Sequence, residues 1–277
     1  MLAGCVIAAG LCAVPAMGAG YMSGFEGLAG SPEGTVLTGQ DAFYIPNGTD
    51  SCDWYVFTYA GNALGLPQNP YGGSQFVGGV GPGSPTYARA QRDVDYGDTD
   101  MMVITYDFAG AYLETGESAN NLGSFSPQPY PGAATYIHLM SWVDPIDPVA
   151  YNSFYLAYDA AGVAHAQPGM SPGAEWENLD LEHWYRSYTV LDFASNRIVE
   201  VGIKDLDSGD EAVYNPSDWY LEGGEAGGLG RPTGFRFFAG GTVTGNALGF
   251  DNIAIVPNPG VLALLGLAGL VGLGRRR

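Results

Sequence analysis

Two short acidic segments hold the residues best suited to bind a metal ion. The candidate ligands are Asp93, Asp95, Asp98 and Asp100 in the first segment, and Asp205, Asp207 and Asp210 in the second. Calcium takes about six to eight oxygen ligands, and an Asp-rich turn with glycine can wrap around it. Neither segment is an EF-hand loop, because the glycine falls one position early and no Glu follows at position twelve. The sequence therefore suggests calcium as a cofactor, with two solvated Asp-Gly turns as the alternative.

A third acidic segment, Glu177-x-x-Asp180-x-Glu182, raises the question of glycosidase chemistry. Retaining glycosidases use two carboxylates about 5 Å apart as nucleophile and acid/base. The spacing is similar to the Glu-x-Asp-x-Glu pattern of laminarinase-type hydrolases but departs from it. In this chain Glu177 and Asp180 would fall on opposite faces of a strand. We therefore predict no catalytic residue here and keep a glycoside hydrolase as an alternative only.

Trp176 and Trp219 are the candidates for stacking on sugar rings. Both stand in polar, turn-like surroundings, which predicts exposed side chains. A carbohydrate-binding module is therefore a second alternative function.

The remaining chemistry-bearing residues form no recognisable motif. His138, His165 and His183 are far apart and have neither His-x-His nor His-Glu-x-x-His spacing, which argues against zinc. The chain also contains no Gly-x-Ser-x-Gly nucleophile elbow and no phosphate-binding Gly-x-x-x-x-Gly-Lys-Ser/Thr loop. We expect a protein without catalytic residues.

Short runs rich in Val, Ile, Thr, Tyr and Phe must position these residues. They are residues 54–59, 101–108, 135–142, 153–158, 184–193, 197–204, 234–238 and 250–256, each bounded by turn-forming residues. Residues 193–197 predict a tight hairpin, and the glycine-rich stretches 60–85 and 222–232 predict long loops of the kind that often serve binding. Eight strands without an alternating helix pattern predict an all-β fold, a single antiparallel β-sandwich.

Charge excludes one class of partner. The 277 residues include 29 acidic and 10 basic ones, for a net charge of −19. Three of the basic residues are Arg275–Arg277, and Lys204 is the only lysine. A body this acidic does not bind the nucleic-acid backbone through a basic face.

Residues 1–19 resemble a secretory signal peptide. They carry no charge, are mostly apolar and end in the small residues Ala16-Met17-Gly18-Ala19. A positive n-region is missing, which suggests that translation starts upstream of Met1.

The other end carries a sorting signal by resemblance. Pro257-Asn258-Pro259 precedes the uncharged residues 260–274, and Arg275, Arg276 and Arg277 follow. This arrangement resembles the PEP-CTERM sorting signal of bacterial surface proteins. The resemblance implies a short transmembrane helix, topology fixed by the arginines, and processing by an exosortase near the Pro-x-Pro motif. The family's middle residue is commonly Glu, so Asn258 puts the cleavage step in doubt.

The body, residues 20–255, resembles a concanavalin A-like jelly roll. Phe25-Glu26-Gly27, Gly39-Gln40-Asp41 and the closing Gly249-Phe250-Asp251-Asn252-Ile253 carry the resemblance. It implies that the last strand pairs near the first strand. Together with residues 1–19 and 256–277, this predicts an exported bacterial envelope or matrix protein. Its expected partners are the exosortase, the membrane and extracellular polysaccharide, and its expected role is structural or adhesive, without enzymatic activity.

Overall fold

Strands form nearly all the regular structure of the computed structural model. The structure describes residues 20–257 apart from 49, 52, 84–86, 114–119, 129–133, 166–169, 182, 229 and 241–242. The strands are β1 (Tyr21–Ser23), β2 (Thr35–Val36), β3 (Asp50–Ser51), β4 (Trp54–Thr58), β5 (Gln75–Val80), β6 (Tyr87–Asp93), β7 (Met101–Tyr112), β8 (Asn121–Gln128), β9 (Ile137–Trp142), β10 (Ala150–Tyr158), β11 (Ala164–His165), β12 (Leu179–Asp180), β13 (Tyr185–Asp192), β14 (Arg197–Asp205), β15 (Glu211–Tyr214), β16 (Gly234–Ala239) and β17 (Asn246–Pro257). Two 3₁₀ turns, Ala174–Trp176 and Gly224–Ala226, complete the regular elements.

The strands form two sheets that pack as a β-sandwich. The nine-stranded sheet has the order β15-β14-β13-β7-β17-β5-β4-β2, with β1 beside β17. The eight-stranded sheet has the order β11-β10-β9-β8-β16-β6-β3, with β12 beside β10. The pairs between these strands are antiparallel except β3 with β6. The predicted antiparallel β-sandwich of the jelly-roll class is confirmed.

The eight predicted strands are present, and the predicted hairpin joins β13 to β14. The expected pairing of the last strand with the first strand is also observed, since Tyr21 of β1 lies opposite Ile255 of β17. The prediction that residues 60–85 form one long loop is wrong, because β5 lies within them. A larger residue would not fit at Gly79 of β5, because a Cβ there would lie 2.4 Å from the Trp54 ring.

Aromatic side chains fill the space between the sheets. The Trp54 and Phe237 ring centroids are 5.0 Å apart, and those of Tyr106 and Phe125 are 4.2 Å apart. Each of these pairs joins one sheet to the other. A further ring, that of His138, lies fully buried among them, and burial lowers its pKa to about 3.

A second apolar cluster lies on the outer face of the nine-stranded sheet. Its members include Phe57, Phe76 and Trp184 from the sheet, and Leu64 and Leu66 from the connection between β4 and β5. That connection therefore covers half of the outer face, and the other half stays open. The boundary between the two halves positions the candidate site.

No helix in the described part of the chain is long and apolar enough to cross a membrane. The expected signal peptide and the expected transmembrane segment lie outside the described residues.

Candidate active site on the outer face of the nine-stranded sheet

Three charged residues stand side by side on the central strands of this sheet. Asp251 of β17 lies opposite Asp107 of β7, and Asp107 lies opposite Arg186 of β13. Directly opposed residues in an antiparallel pair have Cβ atoms about 5 Å apart. We call these residues the carboxylate row. Both aspartates have no exposed surface, and the Arg186 side chain is 27% exposed.

Asp107 accepts hydrogen bonds from a full set of donors. Arg186 donates from Nε to Oδ1 at 2.6 Å and from Nη2 to Oδ2 at 2.9 Å. The side-chain amides of Asn69 and Asn252 donate to Oδ2 at 2.9 and 2.7 Å. This two-pronged arginine contact compensates for the loss of water around the buried charge.

Asp251 has the opposite electrostatic environment. Burial, followed by the neighbouring Asp107 charge, raises its pKa from 3.8 to about 7. The Tyr59 hydroxyl donates to its Oδ2 at 2.8 Å, which opposes the increase without cancelling it. Asp251 is therefore largely protonated at mildly acidic pH. Two neighbouring carboxyl groups whose surroundings move their pKa values apart are the usual acid and base of hydrolytic sites.

A bulge in β17 brings the donor and acceptor groups together. The strand register shifts between Asp251 and Ala254, and Asn252 has a positive φ of 49°. The Asn252 side chain consequently reaches Asp107 on the neighbouring strand. Bulges occur often beside active sites because they redirect side chains in this way.

Residues 66–74, which we call the roof segment, lie over the carboxylate row. Trp184 donates from Nε1 to the Pro67 carbonyl at 2.9 Å. At the other end, the Glu26 carboxylate accepts from the Ser74 amide and from the Ser74 hydroxyl, both at 2.7 Å.

The middle of the roof segment touches the acid pair itself. Asn69 donates to both aspartates, and a Cβ at Gly72 would lie 2.4 Å from Asp251 Oδ2. Next to it, Tyr71 is 53% exposed and its ring lies 5.3 Å from the Arg186 guanidinium carbon. The roof segment covers the carboxylate row. The uncovered part of the outer face begins beside Arg186 and Tyr71.

The open half of the outer face carries a half-buried tyrosine in its centre. Tyr188 lies two residues beyond Arg186 on β13 and therefore on the same face. Its ring covers Gly202 of β14, where a Cβ would lie 2.0 Å from Tyr188 Cε1. The surrounding residues on this face, which together with Tyr188 we call the open face, are Thr105, Glu200, Gly202, Lys204, Glu211 and Val213. A flat aromatic ring among polar groups is a suitable platform for a sugar ring.

A second concavity lies at the hairpin between β13 and β14. Among the described residues, Glu225 is the only carboxylate in its lining, beside Arg197 and Tyr220. It offers no carboxylate pair, so the carboxylate row is the better candidate for chemistry.

The predicted sugar-stacking tryptophans are not at the surface. Trp176 is 2% exposed and Trp219 is 3% exposed. Trp176 closes a 3₁₀ turn that points the indole inward, and the Trp219 ring packs 5.5 Å from those of Tyr155 and Tyr214. The prediction of a stacking role for these two residues is wrong.

The two predicted calcium segments differ in how closely their carboxylates approach one another. Among the described residues, Asp93, Asp95, Asp98 and Asp100 do not form a group with metal-ligand spacing. Asp205 and Asp207 do form one, and the third member is His183 instead of Asp210. The sequence argument against zinc rested on the spacing between histidines and did not consider one histidine grouped with two carboxylates. Calcium binding by either segment stays a prediction.

The other predicted residues take no part in the carboxylate row. Glu177 follows the first 3₁₀ turn and Asp180 lies in β12, both exposed. Pro257 is the last residue of β17, opposite Met102, while Asn258, Pro259 and Arg275–Arg277 lie outside the described residues.

The carboxylate row did have a signal in the sequence. Asp107 and Arg186 are isolated charges within apolar strand runs, and Asp251 stands in the closing strand. An isolated charge in a strand that must be buried requires a partner. The sequence alone does not say which strands are neighbours, so the three could not be joined.

No family model matches the sequence, and no curated protein matches it at significance. Several solved structures are similar in fold. They include a PL-14 alginate lyase from Aplysia kurodai, with 11% identity over 80% of this chain and 92% of the other and a TM-score of 0.46. A cellulose-induced protein has 15% identity over 86% and 97% and a TM-score of 0.46. The catalytic domain of a GH131 β-glucanase from Podospora anserina has 8% identity over 68% and 74% and a TM-score of 0.37.

These comparisons correct the expectation of a non-enzymatic structural or adhesive protein. Several of the similar structures are named as enzymes that act on carbohydrates. The two alternatives, a carbohydrate-binding module and a glycoside hydrolase, stay hypotheses. At identities of 7–15% the similarity names neither a substrate nor the acting residues of this chain, so both must be argued from its own geometry.

Proposed function

We propose that this protein binds a neutral polysaccharide on the open face and hydrolyses it at the carboxylate row. The observation that carries the proposal is a pair of buried, facing aspartates with different partners. Asp251 has a pKa of about 7, and Asp107 is paired with Arg186.

The two carboxylates lie close enough to act on one glycosidic bond. Their Oδ2 atoms both accept from Asn69 Nδ2, at 2.9 and 3.3 Å, and so lie no more than about 6 Å apart. Protonated Asp251 would give its proton to the departing glycosidic oxygen. As the glycosidic C–O bond breaks, Asp107 would bond to the anomeric carbon of the sugar. A water molecule deprotonated by Asp251 would then attack that carbon, which releases the sugar, frees the Asp107 carboxylate and returns the proton to Asp251. A spacing near 5 Å is typical of retaining glycosidases, so we expect retention of configuration.

Charge favours a neutral substrate over an anionic one. The net charge of −19 repels a polyuronate such as alginate. The cations beside the site are also already paired, Arg186 with Asp107 and Lys204 with Glu211. Neither is left to bind a substrate carboxylate, whereas the Tyr188 ring suits an uncharged sugar.

Substrate access requires the roof segment to lift. The contacts of Asn69 and Gly72 with the aspartates hold it down, and the exposed Tyr71 marks the side from which a chain would enter. Long connections in compact domains often serve as active-site lids.

The test is hydrolysis of a panel of purified polysaccharides, with neutral glucans and xylans against alginate. Reducing ends report hydrolysis, and absorbance of an unsaturated product reports a lyase reaction. We expect reducing ends from a neutral polysaccharide, lost in both Asp251→Asn and Asp107→Asn. Unsaturated product, or hydrolysis that survives both substitutions, would contradict the proposal.

A second candidate function is binding without cleavage. It is favoured by the complete burial of both aspartates beside an accessible Tyr188. Affinity electrophoresis separates the two, because binding alone would be lost in Tyr188→Ala and unchanged in Asp251→Asn. Tyr87→Ala is the matched control, since Tyr87 is a 37% exposed strand tyrosine on the other sheet.

We further propose that the chain is exported and sorted to the bacterial cell surface through residues 256–277. The Pro257–Pro259 motif, the apolar stretch and Arg275–Arg277 support it. Replacement of the three arginines with neutral residues is expected to change envelope fractionation or the mass of the mature protein. Unchanged fractionation and mass would refute sorting by this tail.

A further inference from the structure

His183, Asp205 and Asp207 bring three potential metal ligands to one end of the nine-stranded sheet. His183 Nδ1 lies 3.7 Å from Asp205 Oδ2 and 3.9 Å from Asp207 Oδ2. All three ligand atoms lie within 4.8 Å of one another. These distances are too long for hydrogen bonds, so the imidazole does not simply pair with either carboxylate.

The backbone around the three residues is fixed by the sheet. Asp205 ends β14 opposite Tyr185, and the Leu206 amide donates to the Trp184 carbonyl at 2.9 Å. Asp205 is the last residue of β14, Asp207 lies in the turn that follows it, and His183 lies two residues before β13.

Hydrogen bonds within the turn aim one carboxylate at the imidazole. Asp205 Oδ1 accepts from the Asp207 and Ser208 amides at 2.8 and 3.1 Å. The other oxygen, Oδ2, is left facing His183. In turn, His183 Nδ1 is buried and has no hydrogen-bond partner, although the rest of its side chain is 40% exposed. A buried ring nitrogen without a partner costs free energy unless something binds it.

Charge also favours a cation at this position. Within the described residues, no Lys or Arg pairs with Asp205 or Asp207.

We infer that His183, Asp205 and Asp207 bind a divalent transition-metal ion such as Zn²⁺. A tetrahedral zinc with bonds of about 2.1 Å holds its ligand atoms about 3.4 Å apart. The two distances from His183 Nδ1, 3.7 and 3.9 Å, would therefore shorten by a few tenths of an ångström, and the two carboxylates would close to the same spacing. The imidazole nitrogen selects such an ion over calcium, which prefers oxygen ligands. Three protein ligands leave a position for water. The site is separate from the carboxylate row, so an experiment can disprove metal binding without disproving the proposed hydrolysis, and the reverse.

The test is calorimetric titration of the purified protein, freed of any affinity tag, with Zn²⁺ and separately with Ca²⁺. We expect one zinc per chain and a higher melting temperature with zinc. His183→Ala and Asp207→Asn should each weaken zinc binding at least about tenfold. His165→Ala is the matched control, because His165 pairs with Asp159 at 2.8 Å and is similarly exposed.

Three results would overturn the inference. The first is no zinc binding, and the second is zinc binding that survives His183→Ala or is lost equally in His165→Ala. The third is calcium binding at this turn, lost in Asp207→Asn but unchanged in His183→Ala, without zinc binding. That result would assign the turn to an all-oxygen calcium site.

Discussion

The pKa of Asp251 affects how both the stability of the protein and the proposed hydrolysis depend on pH. Its pKa is about 7 in the folded protein against an ordinary value of 3.8, so the folded state holds the proton longer than the unfolded state. The stability that Asp251 contributes is therefore complete below about pH 4 and is lost as the pH rises to about 7.

We predict that wild-type protein loses more stability than Asp251→Asn between about pH 5 and pH 8. The difference has an upper limit of about 3 kcal/mol, because about two of the three pKa units fall between pH 5 and pH 8. Urea unfolding at both pH values measures it, with exposed Asp218→Asn as the control. Parallel pH profiles for all three proteins would contradict the pKa assigned to Asp251.

Arg186 is expected to be essential for the stability of the carboxylate row. Arg186→Met leaves Asp107 buried, charged and next to Asp251, and should cost about 3–5 kcal/mol. Arg186→Lys should cost less, because it keeps the charge and loses the two-pronged contact.

A double-mutant cycle with Asp107→Asn tests the cause of the Arg186→Met loss. If the loss comes from the unpaired carboxylate, the double variant Asp107→Asn/Arg186→Met should be more stable than Arg186→Met alone in urea unfolding. Additive losses would show that Arg186 stabilises the fold through its packing on Tyr71 instead.

The roof segment is the element that decides access to the acid pair. Gly72→Ala would place a methyl group 2.4 Å from Asp251 Oδ2, so the roof must shift outward. We predict faster amide hydrogen exchange in residues 66–74, and a lower pKa of Asp251 as water enters. Gly48→Ala is the control, since a Cβ there meets nothing within 4 Å. Equal exchange in both variants would mean that the roof does not depend on this contact.

Strands with apolar, β-branched or aromatic residues can be predicted from sequence, and the others cannot. The runs at 101–108 and 197–204 are recognisable because burial on one face requires such side chains. β5 is not recognisable because Gly78 and Gly79 make room for rings packed against it, which looks in sequence like a loop. The exposure predicted for Trp176 and Trp219 is wrong because polar sequence neighbours do not determine which way a turn points its side chains.

The order of the strands in the sheet explains why only part of the candidate site could be predicted from the sequence. Tyr59, Asn69, Asp107, Arg186 and Asp251 are spread over nearly the whole body. They meet because β17 enters the sheet between β5 and β7, and β13 lies on the far side of β7. Strand order of this kind depends on long-range pairing, which residue patterns along the chain do not encode directly.

The net charge of the whole molecule indicates which class of substrate it can bind. The net charge of −19 creates a repulsive potential for any polyanion, and salt screens it over a Debye length of about 10 Å at 0.1 M. A neutral polysaccharide held by the Tyr188 ring and hydrogen bonds feels little of this potential. The ionic-strength dependence of binding therefore separates neutral from anionic substrates, whichever sugar units the chain contains.

We predict that affinity for a neutral polysaccharide changes less than about twofold between about 20 and 300 mM NaCl. Alginate, tested with chelator so that divalent ions cannot bridge it to the protein, should bind weakly at low salt and no better than the neutral chain at high salt. Affinity electrophoresis across the salt series measures both. Tight alginate binding at low salt that weakens as salt is added would require an uncompensated cationic surface. It would show that the pairing of Arg186 with Asp107 and of Lys204 with Glu211 opens when substrate binds.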